Sequence, residues 1–138
     1  MAERHARLLE VVHQLRALWS EERHESFRGF PMPQVTPPIV AGTNSVALAE
    51  IAGRHLDGVN TRFNHPQRAE LLAAARRASG GREDFDVSVW APFTPEHADR
   101  EHPFQEELRR EGVTRLVLFE AGVPDPDTIA GAARYLAG

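Results

Sequence analysis

A chain of 138 residues with 26% charged and 41% hydrophobic residues is long enough to bury one core and too apolar to stay disordered. No apolar run approaches the roughly 18 to 20 residues of a membrane helix, so no membrane partner is expected and a cytoplasmic location is the default. A formal net charge of −4 with arginines scattered among acids speaks against a nucleic-acid partner; the absence of cysteine, and of lysine among the 16 basic positions, excludes disulfides, thiolate metal sites, cysteine nucleophiles and lysine Schiff bases.

In chain order, Leu8, Leu9, Val12, Leu15, Leu18 and Trp19 recur at three- and four-residue steps, which predicts an amphipathic helix within residues 1–20. Residues 21–37 read as an irregular loop, broken by Gly29, Pro31, Pro33 and the Pro37-Pro38 pair. From residue 38 to the end, short apolar runs alternate with helical stretches, the pattern of four βα units around a parallel sheet. The first unit is a strand over 38–41 and a helix over 45–56, with Gly58 suited to a left-handed cap. The second is a strand over 59–63 and a helix over 66–79, with Asn64 or His65 as its cap and Gly80-Gly81 as its end. In the third, a strand over 85–91 alternates Phe85, Val87, Val89 and Ala91 before a polar loop and a helix over 103–110 closed by Gly112. In the fourth, the run Leu116-Val117-Leu118-Phe119 within 115–121 suggests a strand covered on both faces; Asp125-Pro126 then opens a last helix to Leu136.

The whole of 1–138 reads as one domain of the α/β class. Periodicity alone does not separate an open sheet from an arc of a closed barrel, and a complete eight-stranded barrel takes about 250 residues. An arc would leave two bare strand edges and an inner face lined by residues such as Val40, Val89 and Val117, to be covered by something else.

Several segments resemble the luciferase-like monooxygenase family, including its deazaflavin-dependent actinobacterial members. The helix ending in Leu18-Trp19-Ser20, the turn Ser26-Phe27-Arg28-Gly29 and the strand Pro38-Ile39-Val40-Ala41-Gly42 are similar to family segments. The most specific block is Leu48-Ala49-Glu50-Ile51-Ala52-Gly53-Arg54-His55-Leu56-Asp57-Gly58-Val59-Asn60. Val87-Ser88-Val89-Trp90 and Gly112-Val113-Thr114-Arg115-Leu116-Val117-Leu118 resemble its late strands. The resemblance implies the C-terminal half of a TIM (β/α)8 barrel, strands five to eight preceded by one helix, in an oxidoreductase using FMN or the deazaflavin F420 on a small organic substrate. Family members carry their first four strands, with much of the ring-binding surface and the usual catalytic side chains, in an N-terminal half. The expected partner is therefore a second copy, as a homodimer, or a separate N-terminal half-barrel, and the second functional reading is a truncated, non-catalytic half-barrel completed in that way. Where many members have two adjacent glycines, this chain has Ala41-Gly42-Thr43-Asn44-Ser45.

Ala41, Gly42, Thr43, Asn44 and Ser45 join a strand to a helix N-terminus, where free amides, the helix dipole and two hydroxyls suit a cofactor phosphate, or where Asn44 or Ser45 simply caps the helix. Arg62 at the end of the second strand would pair with the phosphate or an acidic substrate, or with a carboxylate on a neighbouring loop. Asn60, Trp90 and Phe93 are expected at a substrate pocket, against core packing for the two aromatics. His97, Asp99, Glu101 and His102 lack metal-ligand spacing and read as a solvated loop, so no metal is expected. His13 and His55 stand alone on helices, and Glu106, Glu107, Arg109, Arg110 and Glu111 read as a charged outer helix face. No acid–base pair or nucleophile arrangement can be assembled, so the catalytic residues are left unassigned.

Overall fold

The structure, a computed structural model, describes residues 2–21, 23–28, 31–123 and 126–136. The glycine expected in the turn at Gly29 and the cap at Asp125 lie outside them. Helix α1 (Ala2–Leu18) is followed by a single 3-10 turn (Glu25–Phe27) within the long connection. Then come β1 (Val40–Gly42), α2 (Val46–His55), β2 (Gly58–Arg62), α3 (Arg68–Ala78), β3 (Asp86–Pro92), α4 (Pro95–Ala98), α5 (Pro103–Arg110), β4 (Arg115–Phe119) and α6 (Pro126–Leu136). The four-residue α4, begun by Thr94 accepting from the His97 amide, sits in what the sequence suggested was loop. No helix is long and apolar enough to cross a membrane among the described residues.

The four strands form one parallel sheet in the order β1-β2-β3-β4, in register with Val40 opposite Gly58, Gly58 opposite Asp86 and Ser88 opposite Arg115. Strand alternation then sorts the side chains. Ala41, Val59, Thr61, Val87, Val89, Ala91, Leu116 and Leu118 share one face, and most of them are sealed under α2, α3 and α5 with Ala49, Ala52, Leu71, Leu72, Ala75 and Leu108. Val40, Asn60, Arg62, Ser88, Trp90, Arg115, Val117 and Phe119 share the other, which no helix of the core covers.

Two expectations fail on this sorting. Val89 belongs to the helix-covered face, fully buried, rather than to the open inner face with Val40 and Val117. β4 is covered on one side only, with Val117 and Phe119 exposed.

The block that most resembles the family is largely scaffold. Gly53 lies where α2 and α3 approach most closely, and a Cβ there would sit 2.2 Å from the carbonyl oxygen of Ala75. Gly58 does not cap α2, which ends at Leu56 in an extended conformation. Gly58 instead opens β2 against Asp86, whose carbonyl oxygen a Cβ would meet at 2.7 Å. Arg82 donates to the carbonyls of Gly53 and Leu56 at 3.0 and 2.7 Å, supplying the cation that a helix C-terminus favours. The start of α3 also differs: His65 accepts from the Gln67 amide and closes a turn, and the helix begins at Arg68 without a side-chain cap.

Candidate functional site

Past the strand ends the parallel ladder continues through the loops: Thr43 donates to Asn60 O, Phe63 to Trp90 O and Phe93 to Phe119 O at 2.7 to 2.9 Å. The C-terminal ends of β1, β2 and β3 are thereby held level. Above them opens a cleft of ≈ 560 Å³ whose walls include Gly42, Thr43, Asn44, Asn60, Arg62 and Trp90. Carboxyl ends of parallel strands are where ligands bind in α/β folds generally.

The cleft gathers six of the residues singled out from the sequence and leaves three outside. Ala41 faces the helix layer and packs on the core. Ser45 sits just behind the cleft as the cap of α2, its Oγ accepting from the Leu48 amide at 3.4 Å. Phe93 packs edge-on against Tyr135 of α6, with ring centroids 6.4 Å apart. Asn64, His65 and Pro66 line the cleft as well, and sequence reasoning placed the first two only as helix caps.

Local chemistry divides the cleft into committed and available groups. The buried Thr43 hydroxyl donates to Ser45 O at 3.1 Å, so together with the Ser45 cap both hydroxyls of this loop shape the turn. What remains for a ligand is the exposed Asn44 and the Val46 and Ala47 amides that open α2, which helix geometry leaves without intrahelical acceptors. Asn60 donates to Ser88 Oγ at 2.8 Å and Ser88 donates to Val59 O at 3.0 Å, a ladder that orients the Asn60 amide. Among the described residues Arg62 has no carboxylate partner; its guanidinium lies 5.4 Å from the centroid of the Trp90 ring, and that ring in turn packs against Phe119 at 5.2 Å. None of the described residues lining the cleft is Asp or Glu. In a chain of net charge −4 this makes the cleft a locally positive, carboxylate-free surface.

Arg68 stands behind the cleft, and sequence reasoning missed it. Although nearly buried, its guanidinium makes a fork to Glu111 at 2.7 and 2.8 Å, a bond to Glu107 at 2.6 Å and a bond to the Phe63 carbonyl. The hydrogen bond that it donates to Glu111 outweighs desolvation and raises its pKa above the ordinary arginine value, so the group stays charged wherever the fold persists. Position 68 falls on the same helical stripe as Leu71, Leu72 and Ala75, and a charge on such a stripe was the signal that a partner exists. Glu107 and Glu111 are therefore more than an outer charged face.

His97 packs between Phe63 and Phe104, at 5.0 and 4.5 Å, and shares a hydrogen bond with Pro92 O. His102 caps α5, and Asp99 accepts from the Glu101 amide. No group of three metal-ligating side chains gathers among the described residues.

The sequence model of the luciferase-like monooxygenases matches residues 1–132. The chain is also similar to an F420-dependent hydroxymycolic acid dehydrogenase of Mycobacterium tuberculosis (strain ATCC 25618 / H37Rv), at 37% identity over 82 residues. That match covers 52% of this chain and 22% of the relative. No solved structure matches the chain.

Proposed function

The chain belongs to the luciferase-like monooxygenase family, and on that premise we propose that it forms the phosphate-side wall of an oxidoreductase barrel that binds F420 or FMN. One observation carries this reading: a carboxylate-free cleft at the ends of three parallel strands, with the Gly42-Thr43-Asn44 turn that leads into α2 on one wall and an arginine stacked on tryptophan on the other. Such a donor set fits a phosphate attached to a planar ring system. Asn44, the α2 amides and Arg62 would hold the phosphate, Gly42 would keep the backbone open to it, and Asn60 and Trp90 would line the space toward the ring and the small organic substrate. Bound in reduced form, the cofactor supplies a hydride or the electrons for oxygen activation. The cleft residues bind and orient, as protein groups do around cofactors generally. The name of the mycobacterial relative favours the deazaflavin.

Sequential strand order with the core helices on one face supports a barrel arc over a doubly wound sheet, whose reversed strand order puts helices on both faces. The bare face and the edges of β1 and β4 then need a cover, which is also what the reading as a non-catalytic half-barrel requires. Between a second copy and an N-terminal half-barrel, the helices favour the latter. α1 flanks the β1 side through its contact with α2, and α6 follows β4, so self-closure would crowd two helices onto each seam.

Titration of the chain with F420 and with FMN, followed by cofactor fluorescence, tests the reading. Saturable binding weakened by Arg62→Ala and by Asn44→Ala is expected; no saturable change with either cofactor overturns it. Light scattering addresses the cover: a stable dimer would contradict the preference for a different partner.

A further inference from the structure

We propose that Arg68 is a positioning residue for the cleft: from α3 it ties the end of β2 to α5 and thereby sets the wall that carries Arg62, Asn64, His65 and Pro66. The proposal rests on the reading of the cleft as a cofactor site. The Arg68 guanidinium reaches the Phe63 carbonyl on one side and Glu107 and Glu111 on the other. Phe63 directly follows Arg62, and its amide donates to Trp90 O at 2.9 Å, so the clamped residue is joined to both partners of the cation–π stack. Backbone bonds from His65 to Arg62 O and from Arg68 to His65 O, at 3.2 and 3.0 Å, close the same short segment. The whole wall thus turns on a peptide carbonyl held by one buried side chain.

Stability alone does not call for this arrangement. Buried ion pairs are commonly replaced by packed apolar residues without loss, and an aliphatic cluster would join α3 to α5 as well. It would not donate to the Phe63 carbonyl. A guanidinium does so while its planar fork is held by the Glu111 carboxylate, a geometry lysine cannot copy.

The chain has two tryptophans, so Trp19→Phe leaves Trp90 as the reporter of the Arg62 stack. In that background Arg68→Gln is expected to raise acrylamide quenching of Trp90 and to weaken F420 or FMN binding by about tenfold, the order seen when an outer support of a binding group is lost. Arg68→Lys should restore part of both. Leu56→Ala, at the opposite end of β2 from the cleft, serves as the destabilised control and should change neither despite a lower Tm. If Arg68→Gln lowers Tm but leaves both quenching and affinity at the parental values, Arg68 is structural only and the proposal is overturned. Should Arg68→Gln fail to fold, Glu111→Gln is read in the same way, with increases in the same directions expected and parental values decisive against. If the parental chain binds neither cofactor, the cofactor reading fails while the quenching comparison still decides the role of Arg68.

Discussion

On the helix-covered face of the sheet Val59, Val87, Val89 and Ala91 are sealed, whereas on the opposite face Val117 and Phe119 keep 42% and 38% of their surface in solvent. The covered face is apolar apart from Thr61, and mostly small, because α2, α3 and α5 must approach it closely. The open face mixes an amide–hydroxyl ladder, arginines and aromatics: Asn60 with Ser88, Arg62 over Trp90, Trp90 against Phe119. One sheet therefore separates two tasks. Side chains that hold the fold together point one way, and those with free chemistry point the other.

Substitutions can break or sharpen that contrast. The largest effect is expected on the helix side of the covered face, where Leu71→Ala should cost about 2 to 5 kcal/mol in a denaturant titration. The sharper test is a matched pair. Val89→Ala should cost about 2 kcal/mol, for the buried methyl groups it removes. Val117→Ala should cost less than about 0.5 kcal/mol, as for an exposed site. Equal losses would mean that the open face is covered in solution and the contrast is false. Ser88→Ala should cost about 1 kcal/mol, because it strips the acceptor from the Asn60 amide and the donor from Val59 O. The smallest effect concerns Glu96, whose carboxyl is held below its ordinary pKa, chiefly by a backbone hydrogen bond at the start of α4 and then by Thr94. A depressed folded pKa means that its contribution is present above the ordinary carboxylate range and fades as pH falls through the lowered value. Glu96→Gln should therefore narrow a slight stability difference seen at neutral pH until it vanishes in acid, as followed by thermal melts.

Regular elements were legible where one kind of force decided them. The alternation Phe85, Val87, Val89, Ala91 gave β3 directly, since burial of one face imposes a period of two. α3 ends before Gly80 and Gly81 as expected, and both glycines take the left-handed conformation. Misreadings arose where a residue type serves two ends. Gly58 looked like a helix terminator but permits close strand contact, and the apolar run at β4 suggested burial on both sides because valine and phenylalanine suit a sheet whether or not it is covered. Gly42, Thr43, Asn44, Asn60, Arg62 and Trp90, singled out at strand ends, line one cleft because the topology makes those ends neighbours. Phe93 does not, because its ring turns toward α6, and Arg68 stayed hidden because its partners lie about forty residues away on another helix.

Strand order also bears on how the molecule forms. Each strand pairs only with its predecessor and its successor in the chain, and pairs such as Val40 with Gly58 or Ser88 with Arg115 lie within about thirty residues of each other. No strand has to find a place between two others already joined. A chain emerging from synthesis can therefore add one βα unit at a time to an existing layer, each step a short loop closure that seals a further part of the core.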